Sequence, residues 1–131
     1  MVGHPSPEGA HHIHVCTACR NRETDELRGV ALLALLAEAA TKGDLPDGFT
    51  VSGINCMAGC AHPCTVGFQS AGKAAWLFGD LLPEDLADLL AFAQLYHALP
   101  DGWSRSTERP GKMAHAALAR IPAGPASGVT A

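Results

Sequence analysis

The chain has 131 residues, 47% of them apolar, with a formal net charge of −4 and a pI near 5.9. That length and apolar fraction fit one domain with a buried core, and nine basic residues scattered along an acidic chain argue against a nucleic-acid-binding surface. The longest apolar run, "VALLALLA", stops at Glu38, well short of the roughly 18 residues a bilayer span needs, so no membrane span is expected.

Residues 1–10 hold two prolines and two glycines without apolar periodicity, and read as a flexible leader too polar for a secretory signal. The expected location is therefore the cytosol. There, thiols are kept reduced, and an odd count of five cysteines favours a metal site or redox chemistry over a disulfide framework.

"HHIHVC" alternates, with Ile13 and Val15 on one face and His12 and His14 on the other, and predicts a first strand that delivers Cys16 at its end. His11, His12 and His14 read as polar residues of an exposed strand face rather than as a metal cluster. "TDELRGVALLALLAEAATK" predicts a helix over 24–42, capped by Thr24 or Asp25 and stopped by Gly43. Its expected apolar face runs through Leu27, Val30, Ala31, Ala34 and Leu35, with Leu32, Leu33 and Leu36 as further leucines, and so apolar a helix calls for cover on most sides.

"DLPDG" is a turn, "FTVSGIN" a second strand, and "CTVGFQ" and "AAWLFG" a hairpin across "SAGK". "LLPEDLADLLAFAQLYHAL" predicts a second amphipathic helix, opened by Pro83 with Glu84 and Asp85 at its positive end. Its buried face is drawn through Leu86, Leu89, Leu90, Ala93, Leu95 and Tyr96. The domain is thus expected over 11–100. Residues 101–131 read as a tail with a short helix around Lys112 to Arg120, docked by Trp103. The order predicts an α/β fold with a mixed four-stranded sheet and two main helices, the first two strands being parallel across a helical crossover.

The cysteines fall where strands end. "CTAC" places Cys16 and Cys19 after the first strand, and "CMAGC" places Cys56 and Cys60 after the second, 36 residues later. If those strands are parallel neighbours, their C-terminal ends share one sheet edge and four thiolates converge there. Such a donor set suits zinc, cobalt or an iron–sulfur cluster, and spacing alone does not choose among them. A dithiol reading also exists. "CTAC" sits where a thioredoxin-type pair would, and Pro63 precedes the third strand as that fold's active-site proline does. Against it, "RNRET" separates Cys19 from the expected helix start, and Cys56 and Cys60 go unexplained.

From Cys56 onward, "CMAGCAHPCTVGFQSAGKAAWLFGDLLPEDLADLL" resembles the C-terminal half of thioredoxin-like 2Fe-2S ferredoxins and the small iron–sulfur subunit of NADH:quinone oxidoreductase. Those families share a C-x-x-x-C loop, a proline-containing link, a hairpin and a "D-L-x-P-E" helix start, matched here with a small shift by Asp80, Leu81, Pro83 and Glu84. With "CTACR" and "ARIP", the whole chain also resembles an uncharacterised bacterial family of predicted metal-binding proteins, whose genes lie near cobalamin and metal-handling genes.

The resemblance covers residues 13–99 and implies a thioredoxin-like ferredoxin fold with a 2Fe-2S cluster on Cys16, Cys19, Cys56 and Cys60. The ferredoxins separate their first two cysteines by four or more residues, whereas two separate them here. Cys64 falls outside the matched positions and reads as a non-ligating thiol, with a ligand swap or a redox-sensitive role as alternatives. His62 reads as a loop histidine facing water, with a bond to cluster sulfur or a second metal as its other uses. No nucleotide fingerprint or catalytic constellation is visible. The expectation is an electron carrier working with a redox partner protein. Its alternatives are a zinc or cobalt delivery protein working with metal-handling partners, and an oxidoreductase using Cys16 and Cys19; any of these is compatible with a homodimer.

Overall fold

The structure is a computed structural model that describes residues 10–18, 28–55, 57, 62 and 64–123. Five strands and two helices follow in the order β1 (His11–Cys16), α1 (Arg28–Lys42), β2 (Phe49–Ile54), β3 (Val66–Ser70), β4 (Ala75–Phe78), α2 (Leu86–Ala98) and β5 (Ala117–Ile121). The strands form one sheet ordered β2-β1-β3-β4-β5. β1 and β2 are parallel, as a helical crossover requires, and all other neighbours are antiparallel.

Alternation along β1 sorts its side chains by face. His11, Ile13 and Val15 are buried with Val66, Phe68, Trp76 and Phe78 of the neighbouring strands, under Leu32 and Leu36 of α1 and Leu89, Phe92 and Tyr96 of α2. Both helices therefore cover the same face. His12 and His14 point to the other face, where His12 Nδ1 lies 2.8 Å from Thr50 Oγ1 and His14 Nε2 lies 3.1 Å from Gln69 Oε1. His11 belongs instead to the core: its ring stacks on Phe49 and meets Tyr96 edge-on, and its Nε2 accepts from Lys73 Nζ at 2.8 Å. The three histidines are divided between two faces and form no common cluster.

α1 ends in a Schellman motif. Gly43 takes φ +82°, its N–H donates to Ala40 O, and Asp44 N–H donates to Ala39 O at 2.9 Å. The expected start and the cap at Thr24 or Asp25, with Leu27, lie outside the described residues. The buried stripe is Leu32, Leu36 and Ala39, at the helical spacing of four and three, whereas Val30, Ala31 and Ala34 are exposed. Leu32 and Leu36, expected only as further leucines beside the main face, are its centre, because a helix apolar all round gives no polar side to phase it. For α2, Pro83–Asp85 form a 3-10 turn leading into the helix, and Leu82 N–H donates to Asp85 Oδ2 at 2.8 Å. Phe92 joins Leu89, Ala93 and Tyr96 at the centre of its buried face.

The sheet has five strands, not four. The helix expected around Lys112 to Arg120 is instead a 3-10 turn over Gly111–Ala114 followed by β5, which pairs antiparallel with β4. The loop before it is held by Trp76, whose Nε1–H donates to Gly102 O at 2.8 Å, and by Met113, which is fully buried. Trp103, expected to dock this segment, is 43% exposed.

Candidate metal centre

Parallel pairing of β1 with β2 is what builds the site. Cys16, the last residue of β1, stands opposite Ile54, the last residue of β2. Thr17 continues the junction: its N–H and its hydroxyl both donate to Ile54 O, at 2.8 and 3.2 Å. The two strands that precede the cysteine motifs thus end side by side. On the other flank, Cys16 N–H donates to Thr65 O at 3.0 Å, which ties the strand end to the start of β3. Cys16 is 3% exposed.

α1 closes the site from the helix side. A Cβ placed on Gly29 would lie 1.8 Å from Cys16 O and 3.3 Å from Thr17 Cα, so the first described turn of the helix touches the backbone at Cys16 and only glycine fits there. The cysteine-bearing end of β1 and the first described turn of α1 thus meet through their backbones.

The stretch around Cys64 is clamped to the turn after β4. Asp80 N–H donates to His62 O at 2.9 Å, and Leu81 N–H donates to Cys64 O at 3.2 Å. His62 is exposed and its Nδ1 lies 2.9 Å from Asp80 Oδ2. Gly79 allows this closeness, since a Cβ there would lie 2.8 Å from His62 Cβ and 2.9 Å from His62 O. Lys112 Nζ donates to Asp80 O, and to Asp85 Oδ2 at 2.9 Å. Cys64 is fully buried in the core, with its Sγ 3.9 Å from Thr65 O.

Of the six residues singled out in the sequence, Cys16, His62 and Cys64 are described, and Cys19, Cys56 and Cys60 lie outside the described residues. Among the described residues no three His, Cys, Asp or Glu side chains converge as a metal site. Sequence reasoning missed Gly29, Asp80 and Lys112 as the residues that hold the site's surroundings. The "GD" pair at 79–80 carried a turn signal; Lys112, 32 residues from Asp80, carried none.

The family described as Protein of unknown function (DUF1636) matches residues 13–123. The chain belongs to it. No curated protein matches this DUF1636 chain. Among solved structures, a thioredoxin-like [2Fe-2S] ferredoxin from Aquifex aeolicus is similar, with a TM-score of 0.54 at 15% identity, covering 92% of this chain and 98% of that one. The DUF1636 chain therefore has a mixed α/β fold like that of the thioredoxin-like ferredoxin. The family match runs through β5, in keeping with a sheet that continues past residue 100. No helix among the described residues is long and apolar enough to cross a membrane.

Proposed function

We propose that this chain is a small electron carrier that holds a 2Fe-2S cluster on Cys16, Cys19, Cys56 and Cys60. The observation that carries the reading is the parallel register of Cys16 with Ile54, which starts both cysteine-bearing segments at one edge of the sheet. The fold's likeness to a [2Fe-2S] ferredoxin supports it. Four cysteine sulfurs in two pairs are a donor set that suits such a cluster.

Bound there, the cluster would supply one-electron chemistry. The chain's own part is to hold and tune. Cys16 is fixed through its backbone by Thr65 and Thr17, the first described turn of α1 lies against it, and the small residues of "CTAC" and "CMAGC" leave backbone N–H groups able to approach sulfur. A redox partner protein is implied by this reading.

Oxygen-free purification tests it. Iron and acid-labile sulfide in equal amounts, with visible bands bleached by dithionite, are the expected result. A protein without iron or acid-labile sulfide but with stoichiometric zinc or cobalt would replace it with the metal-delivery reading, which the short Cys16–Cys19 spacing favours. Protein without metal but with a reversible Cys16–Cys19 disulfide would replace it with the dithiol reading, which the place of "CTAC" after the first strand favours.

A further inference from the structure

Three of the chain's six arginines, scattered in sequence, are brought together at the β5 edge of the sheet. Arg109 and Arg120 both place their guanidinium groups over Trp76, at 4.8 and 5.4 Å from the ring centroid, and Arg120 also stacks on Trp103 at 3.6 Å. Both donate to Ser104 O, at 3.1 and 3.4 Å. Arg105 stands beside them and has one carboxylate near, Glu108 at 3.8 Å. Among the described residues, Glu108 is the acid paired with this cluster, in a protein whose net charge is negative. Burial first, and then the charge of Arg120, lowers the pKa of Arg109. Folding therefore crowds like charges here.

Beside this cluster lies a cleft of about 370 Å³ lined by Trp103, Ser104, Arg105, Glu108 and Arg120. Ser104 is only 3% exposed, and its Oγ has no hydrogen-bond partner among the described residues. Buried hydroxyls normally find one, and stacking of arginine on tryptophan leaves the hydroxyl unexplained. A purely structural role for Arg109 and Arg120 accounts for the tryptophan contacts and for their bonds to the carbonyls of Ser104, Met113 and Ala114, but not for the Ser104 hydroxyl.

We propose that this cleft binds a small oxyanion, a phosphate or carboxylate group carried by a small molecule, with Arg105 and Arg120 supplying charge and Ser104 a hydroxyl donor. Guanidinium groups suit planar or tetrahedral oxyanions because they present several N–H donors in a fixed fork. A small ligand is favoured over an acidic protein surface because Ser104, a lining residue of the cleft, is only 3% exposed. The exposed indole of Trp103 offers a stacking surface for whatever carries the anion.

The full chain is titrated with sodium phosphate and, separately, sodium acetate, each against sodium chloride at matched ionic strength. Calorimetry and indole emission follow binding, and neither needs a metal in the protein. Saturable binding of phosphate or acetate is expected, with an emission change that Trp103→Phe removes; the stronger of the two names the anion. Ser104→Ala and Arg105→Gln should each weaken binding by about tenfold, equivalent to about 1.4 kcal/mol. Arg105 is exposed, so its variant keeps the test alive if changes nearer the core perturb folding. Binding that does not saturate, or an affinity untouched by both variants, overturns the proposal. So does saturable binding of a polyglutamate peptide without binding of phosphate or acetate, which would make the cluster a docking surface for an acidic protein.

Discussion

His62 and Asp80 are joined twice: the Asp80 N–H donates to the His62 carbonyl at 2.9 Å, and the Asp80 carboxylate meets His62 Nδ1 at the same distance. Asp80 does this from a left-handed conformation, φ +57°, unusual for a residue with a Cβ. Both side chains are exposed, so their contact contributes at most about 1 kcal/mol. Asp80→Gly relieves a backbone cost of about 1–2 kcal/mol while losing that contact. The stability of Asp80→Gly should therefore stay within about 1 kcal/mol of the parent. Asp80→Val keeps the left-handed demand with a β-branched side chain and should lose about 1–3 kcal/mol. Urea unfolding of the three proteins measures both; equal losses in the two variants would mean that the carboxylate, and not the backbone, decides.

Gly29 makes the opposite bet against helix propensity. Alanine in an exposed helix stabilises by about 1 kcal/mol over glycine. At position 29 its Cβ would meet Cys16 O at 1.8 Å, and the contacted atom belongs to a backbone pinned by its ladder to β2 and β3. α1 has to move away, so Gly29→Ala should destabilise by about 1–3 kcal/mol and reduce iron retention in the same preparation. A stabilised variant would show that the start of α1 is not fixed against Cys16.

Tyr96 is the chain's single tyrosine, fully buried, with its hydroxyl donating to Ala74 O at 2.6 Å. Burial raises its pKa well above the ordinary value. The unfolded chain releases this proton near pH 10 while the folded chain keeps it, so stability is fully present below about pH 10 and falls as pH climbs beyond it. Lys73, 5.1 Å above the same ring, has its pKa lowered by burial, and its contribution runs the other way, improving as pH rises toward about 10.5. Phenolate absorbance should therefore appear together with loss of helical circular dichroism, and Tyr96→Phe should move the alkaline transition upward. Phenolate appearing while the helix signal is intact would contradict this.

Strands with alternating large side chains were legible in the sequence. "HHIHVC" gave β1 to the residue, and its crossover to "FTVSGI" gave the parallel pair that positions Cys16. β5, "ALARI", was read as helix because alanine and leucine favour helices, while its strand character comes from pairing along β4, which only the tertiary structure supplies. Phe92 was passed over although it lies three residues after Leu89 on the same helix face. Of the site, the cysteine motifs were legible as local spacing. The Asp80–Lys112 contact and the place of Gly29 were not, because each depends on which segments the sheet brings together.

Cys64 separates packing from ligation. Its side chain is wholly buried in the core, with its Sγ 3.9 Å from Thr65 O. Cys64→Ala removes one heavy atom from a packed core and should cost about 0.5–1.5 kcal/mol. Cys64→Ser puts a more polar hydroxyl into that apolar setting and should cost about 1–3 kcal/mol. If Cys16, Cys19, Cys56 and Cys60 are the ligands, both variants, once folded, retain the parent's iron, whereas Cys16→Ser, Cys19→Ser, Cys56→Ser and Cys60→Ser each lose most of it. Iron and sulfide per chain, measured on oxygen-free preparations that give the parent's circular dichroism, make the comparison. Loss of iron in Cys64→Ala equal to that in Cys56→Ser would place the buried thiol among the ligands and redraw the site around it.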